Sequence, residues 1–247
     1  MNGVPQTVMI LAAGLGTRMR PLTDDRPKPL VEVAGHTLID HTLGLLKAEG
    51  VKRVIVNLHY KADMLRQHLA RHDHGLDILF SDETDRLLDS GGGIKKALPL
   101  FGTQDPIISV NGDLLWAANT GIISRAWQAY NPDRMDELLM GAPVDRATGY
   151  DGPGDLFFTQ TQEAEPADLR AQQVPAPASA PYYYCGVQIL ARRMFNGFAA
   201  GEPFSVKQAW TNARQRGKLF ALGTDMPTYH IGTPAGRDEA DKAIGGS

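Results

Sequence analysis

The chain has 247 residues, 43% of them hydrophobic, one cysteine and a formal charge of −3. Such a chain can bury one large core, so a single domain over 1–247 is expected, and its near-neutral balance excludes a strongly basic nucleic-acid binder. The lone Cys185 excludes an internal disulfide, no apolar run is long enough to cross a bilayer, and the N-terminus lacks a secretory pattern; together these point to the cytoplasm.

The first predicted strand, 8–12, runs into a glycine-broken loop, Ala13-Gly14-Leu15-Gly16-Thr17, followed by Arg18, Arg20 and a Lys28 held between Pro27 and Pro29. Helical spacing puts Leu38, Thr42, Leu45 and Leu46 on one face over 37–49, and Met64, Leu65, His68 and Leu69 on one face over 62–71. Strands are expected at 53–58, 77–80, 106–110 and 137–144. The Pro/Ala/Gln-rich stretch 163–181 reads as a surface loop or insertion. A strand at 182–191 and helices at about 205–216 and 234–244, with two short strands, complete the chain. This alternation predicts an α/β fold: a mostly parallel, Rossmann-like sheet with helices on both faces. Ligands in such sheets bind beyond the carboxyl ends of the strands, where the 13–18 loop and Asp113 both fall.

Small residues let backbone N–H groups approach an anion closely, and arginines directly after such a turn match a polyphosphate. The loop is not a P-loop, because Thr17-Arg18 stands where Lys-Ser/Thr is required. Met19 occupies the third small position of a dinucleotide fingerprint, and no kinase His-Arg-Asp or Asp-Phe-Gly element follows. The residues therefore read as a triphosphate-handling enzyme, with Leu11, Ala12, Ala13, Gly14, Gly16, Thr17 and Asn111 around the nucleotide. Asp113, in Asn111-Gly112-Asp113, is a natural Mg²⁺ ligand at a strand end, or alternatively a cap of the next helix. Glu83 or Asp82 could accept a ring N–H of the base, a contact that suits uracil and guanine alike. Gly91, Gly92 and Gly93 either lie flat against base or ribose or only start a helix at 94–98. Asn57 and Asp155 are candidates to face the sugar.

LAAGLGTRMRPLT followed by RPKPL resembles the signature of the sugar-1-phosphate nucleotidyltransferases, and the similarity continues through 33–51, 89–101, 110–113 and 229–234. The triple glycine and compact C-terminal half look most like the branch that transfers UMP to N-acetylmuramate 1-phosphate in bacterial cell-wall recycling. A mannose-1-phosphate guanylyltransferase and a non-catalytic nucleotide-sensing subunit of the same fold are the alternatives. The resemblance implies that Arg18 pairs with the β- and γ-phosphates, that Lys28 reaches the α-phosphate and that Asp113 holds Mg²⁺, with Mn²⁺ as a second option. It implies a nucleoside triphosphate and a sugar-1-phosphate as partners, with no nucleic acid and no membrane; oligomeric state is undetermined. Two departures stand out. His230 occupies the place of a second acidic ligand, where it could bind metal directly, act through water or on a phosphate oxygen, or be structural. The Glu-Lys-Pro element of larger relatives is replaced by Glu165-Pro166 without the lysine, which leaves Lys207 or Arg146 as candidates for the acceptor's charge.

Overall fold

The computed structural model describes residues 3–71, 74–117, 120–156 and 180–246, together with the backbone of 167–168. In chain order the elements are β1 (Thr7–Leu11), β2 (Glu32–Val33), β3 (His36–Thr37), α1 (Leu38–Ala48), β4 (Arg53–Leu58), α2 (Ala62–Arg71) and β5 (Asp77–Asp82). Then come α3 (Asp89–Ala97), β6 (Ile107–Asn111), β7 (Leu114–Trp116), α4 (Ile122–Ala129), β8 (Glu137–Pro143) and β9 (Ala147–Thr148). The last are β10 (Ala167–Asp168), β11 (Tyr182–Leu190), α5 (Val206–Gln215), β12 (Leu219–Gly223), β13 (Thr228–His230) and α6 (Pro234–Gly245).

Alternation along the apolar strands divides their side chains between two faces. Val8, Ile10, Val54, Val56, Ile108 and Val110 pack on one face against α1, α2 and α4. Met9, Ile55 and Ile107 point the other way, to Ile94 and Ala97 of α3 and to Ala209, Trp210 and Ala213 of α5. Both faces are therefore covered, and the strands read as near-continuous hydrophobic runs. The main sheet has the order β10-β12-β8-β11-β6-β1-β4-β5. It is parallel at β6-β1-β4-β5 and at β8-β12, while β11 enters antiparallel between β6 and β8. The predicted α/β sheet with helices on both faces is what forms. No helix among the described residues is long and apolar enough to cross a membrane.

Some details differ from the periodic reading. On α1, Ile39 and Leu43 are buried with Leu38, Thr42 and Leu46, whereas Leu45 is only partly covered. Thr37 is the cap of this helix and accepts from the Asp40 N–H at 3.3 Å. On α2, Met64 is 41% exposed, because the helix rests on the sheet through Leu65 and Leu69. Most of the predicted 163–181 loop lies outside the described residues; within it, Ala167 and Asp168 pair antiparallel with Ala221 and Phe220.

A second small sheet, β7-β13-β9, stands beside the ends of the main strands. His230 pairs with Leu114, and the Ile231 N–H donates to the Asp113 carbonyl at 2.9 Å. Residues 116 and 118 positions apart in sequence are thus set side by side at the mouth of the main sheet.

Candidate active site

The loop after β1 folds back on the stretch 23–28. Gly16 has φ 64°, and a Cβ there would stand 3.0 Å from Thr23 Cγ2 and 3.1 Å from Lys28 Cβ. Only glycine meets both demands. Thr23 Oγ1 donates to the Gly16 carbonyl at 2.9 Å, and Thr17–Met19 form a single tight turn. Among the described residues no hydrogen bond takes up the N–H of Gly14, Leu15 or Gly16, and Gly14 and Gly16 line the cleft described below. Pro27 and Pro29 flank Lys28 at the first position of another short turn. From there the Lys28 ammonium reaches Asp113 Oδ2 at 2.7 Å. Burial is the largest influence on the Asp113 carboxyl and pushes its pKa up; Lys28, His230 and Arg18 together outweigh it and hold the pKa below the ordinary range.

A cleft of about 620 Å³ opens over the carboxyl ends of β1, β4, β5 and β6. Leu11, Ala12, Ala13, Gly14, Gly16, Thr17 and Arg18 form one wall, with Lys28, Asn111 and Asp113 beside them. Leu87, Asp89, Ser90 and Pro203 form the other wall. Most of the residues that the sequence suggested for the nucleotide therefore meet in one cavity.

Three expectations change. Glu83 lines this cleft, but its carboxyl is already committed: Oε1 accepts from Asn57 Nδ2 at 2.7 Å and Oε2 from the Leu88 N–H at 3.1 Å. Burial raises its pKa, and Asn57 and the Leu88 amide offset this only in part. Asn57 does not face the second cavity, the one suited to a sugar; it is buried and accepts from the Ala12 N–H at 2.6 Å. Gly91 and Gly92 lie inside α3 and both give their N–H to the Phe204 carbonyl, at 2.9 and 3.1 Å. A Cβ on Gly91 would strike the Phe204 ring, and one on Gly92 would lie 2.7 Å from the Glu202 carbonyl. These glycines serve close packing of α3 on 202–204, and neither lines the cleft. Asp82, the other candidate acceptor, is bound to Thr84 and Arg66 and is not at the cleft.

A second cavity of about 260 Å³ adjoins the first and shares Leu11, Arg18, Ser90, Asn111 and Asp113 with it. Its remaining wall is aromatic and polar: Tyr150, Tyr183, Tyr184 and Trp210 with Asp155, Gln188, Lys207 and His230. Tyr150 stacks on Tyr183 at 4.2 Å, and Tyr184 meets Trp210 edge-on at 5.1 Å. Such flat apolar surfaces with a few fixed polar groups suit a ring carrying hydroxyls. Asp155 accepts from the Tyr184 N–H at 2.6 Å. Burial raises its pKa, against the lowering influence of that N–H and of Lys207. Arg146 lies elsewhere, donating to the Asp225 carbonyl at 2.9 Å. The aromatic lining was not legible in sequence, because Tyr182-Tyr183-Tyr184 reads only as a strand and nothing local tells which face meets a cavity.

His230 sits edge-on to Tyr150 at 5.6 Å, with Nδ1 3.3 Å from the Gly149 carbonyl. No cluster of three or more His, Cys, Asp or Glu suited to a metal occurs among the described residues. Mg²⁺ needs no such cage: one or two carboxylates with substrate phosphates and waters suffice. Asp113 fits that role with Oδ1 free of the Lys28 contact, and His230 is its neighbour in the same cavity.

Residues 7–151 match the nucleotidyl transferase family. The chain is 39% identical over 248 residues, 99% of both chains, to the N-acetylmuramate alpha-1-phosphate uridylyltransferase of Caulobacter vibrioides (strain ATCC 19089 / CIP 103742 / CB 15). It is 45% identical over 108 residues to the enzyme of that name from Neisseria meningitidis serogroup B (strain ATCC BAA-335 / MC58), covering 43% of this chain and 46% of that one. Among solved structures, a UDP-glucose pyrophosphorylase from Acinetobacter baumannii superposes with a TM-score of 0.78 at 17% identity, covering 97% of this chain and 93% of the other.

Proposed function

The chain belongs to the nucleotidyl transferase family and is a sugar-1-phosphate nucleotidyltransferase; from that premise we propose that it transfers UMP from UTP to N-acetylmuramate 1-phosphate. A phosphate oxygen of the acceptor forms a bond to the α-phosphorus, the bond from that phosphorus to the β-phosphate oxygen breaks, and pyrophosphate leaves. The choice of UTP and of this acceptor rests on the full-length Caulobacter relative.

The observation that carries the mechanism is the wall common to the two cavities, where Arg18, Asn111 and Asp113 face both. The triphosphate lies in the larger cleft against the unbonded amides of Gly14, Leu15 and Gly16, and the acceptor lies in the aromatic cavity. The reacting groups meet at the shared wall, so alignment of two mutually repelling anions is the main task of the protein. Arg18 pairs with the β- and γ-oxygens and offsets charge on the leaving pyrophosphate. Lys28, held by its prolines, donates to an α-phosphate oxygen as charge builds there. Asp113, with His230 beside it, would hold Mg²⁺, which when bound would offset charge on the phosphate oxygens. Lys207, at the start of α5, meets the acceptor's anionic group.

Pyrophosphate release from each of the four ribonucleoside triphosphates, measured across a panel of sugar phosphates, tests this reading. UTP with N-acetylmuramate 1-phosphate is expected to give the highest kcat/KM. A clear preference for GTP with mannose 1-phosphate, or no turnover with any pair, would overturn it.

A further inference from the structure

We propose that Glu83 and Asn57 form a positioning pair that sets the backbone of the triphosphate loop and ties it to the start of α3. This rests on the larger cleft being the nucleotide site. Strands β1, β4 and β5 are parallel neighbours, so residues at their carboxyl ends lie in a row across the sheet: Ala12 just past β1, Asn57 near the end of β4, Glu83 just past β5. Along that row runs one chain of hydrogen bonds. The Ala12 N–H donates to Asn57 Oδ1 at 2.6 Å, Asn57 Nδ2 donates to Glu83 Oε1 at 2.7 Å, and the Leu88 N–H donates to Glu83 Oε2 at 3.1 Å.

The chain has a forced polarity. Both ends are backbone donors, so each side chain must present an acceptor outward while one N–H passes between them. An amide facing a carboxylate satisfies this; two amides or two ionised carboxylates do not. Neither member is accessible enough to exchange these partners for water, Asn57 being 3% exposed and Glu83 0%. The space beside them is closed as well, since a Cβ on Gly93 would stand 2.7 Å from Glu83 Oε1 and 3.1 Å from Asn57 Nδ2. A third contact joins the His59 ring Nδ1 to the Glu83 carbonyl at 2.6 Å. Ala12 opens the triphosphate loop, and Leu88 directly precedes Asp89 and Ser90 on the opposite wall. The pair, itself part of the cleft lining, therefore sets the distance between the two walls.

The polarity supplies the test. Glu83→Gln alone sets two amide N–H groups against each other, and Asn57→Asp alone sets two carboxylates against each other at a pH high enough to ionise both. The double variant Asn57→Asp/Glu83→Gln restores every hydrogen bond with the carboxylate moved one place along the chain: the new carboxylate accepts from Ala12 and from the new amide, whose oxygen accepts from Leu88. UTP affinity by calorimetry with Mg²⁺ is compared with separate KM values for UTP and acceptor, at a temperature where each variant is folded by circular dichroism. The single variants should weaken UTP binding by about 10–100-fold, since displacing a site by an ångström has effects of that order, with acceptor KM unchanged. The double variant should recover to within a few-fold of the wild type. Wild-type UTP affinity in the folded single variants would overturn the proposal. So would a double variant that binds no better than the singles, or one that fails to fold. A Glu83 that reads the base would instead alter triphosphate preference in Glu83→Gln, without rescue by the second change. If the wild type binds no ribonucleoside triphosphate at all, the nucleotide reading of the cleft fails first and this one with it.

Discussion

The ammonium of Lys28 stands 2.7 Å from Asp113 Oδ2, joining a proline-bracketed turn near the N-terminus to the residue just past the end of β6. The contact lies where the two cavities meet. Lys28 keeps two further N–H donors for phosphate oxygens while one holds the carboxylate. Asp113 in turn stays ionised in a partly buried place because Lys28, His230 and Arg18 oppose the effect of burial. One ion pair thus orients the cation and keeps the carboxylate charged.

Lys28→Ala should lower kcat by about 10²–10³-fold, the usual cost of removing one donor aimed at developing charge, while UTP binding changes far less. Its second consequence concerns pH. The Asp113 pKa is depressed in the folded protein, so its charge persists as pH falls until that low value is reached. Removing Lys28 takes away the largest lowering influence, and the acidic limb of the residual kcat/KM profile should move to higher pH. Steady-state kinetics across pH measure both effects; an unchanged kcat would remove Lys28 from the reaction.

Lys207→Ala should raise the acceptor KM by about 10–100-fold, the range for a lost hydrogen bond to a charged group, and leave the UTP KM unchanged. Lys207→Arg should recover part of the loss. Initial rates at varied acceptor and fixed UTP, and the reverse, separate the two constants. A change confined to UTP would assign Lys207 to the nucleotide side.

Glu137 is fully buried at the start of β8, and burial holds its carboxyl well above its ordinary value of 4.5; the nearby Trp210 indole opposes this without outweighing it, its N–H being given to Gln188 at 3.0 Å. A raised folded pKa means the native state keeps a proton that the unfolded chain releases. Stability contributed by the neutral acid is complete below about 4.5 and is lost as pH rises toward the folded pKa. Glu137→Gln removes that dependence. The variant should gain Tm relative to the wild type at pH 8 and lose the advantage near pH 4, as thermal melts across this range will show. A difference in Tm that does not vary with pH would contradict a neutral Glu137.

The strands, the glycine loop and the bracket of prolines around Lys28 were legible because each is a property of consecutive residues: apolar runs, small residues in a turn, fixed φ on either side of a side chain. The same locality hid the partners of Glu83, Asn57 and the glycines at 91 and 92. A carboxylate after a strand and a triple glycine beside it suggest a base site. Yet the partners that occupy them, Leu88 and Ala12 for the polar pair and Phe204 for the glycines, are chosen by neighbouring strands and by a distant segment. Tyr183, Tyr184 and Trp210 escaped notice for a related reason, since aromatic residues in a strand or helix are core by default.

By itself the amino-acid order determined the α/β layout, the glycine loop after β1 and the cations beside it, because hydrophobic period and turn chemistry act over a few residues. Only the tertiary structure decided which polar groups remain for substrate, which are consumed as struts, and that His230 stands beside Asp113. Those outcomes depend on strand neighbours and helix contacts formed across 45 to 118 positions, where hydrogen-bond partners and burial are set by packing and not by sequence proximity.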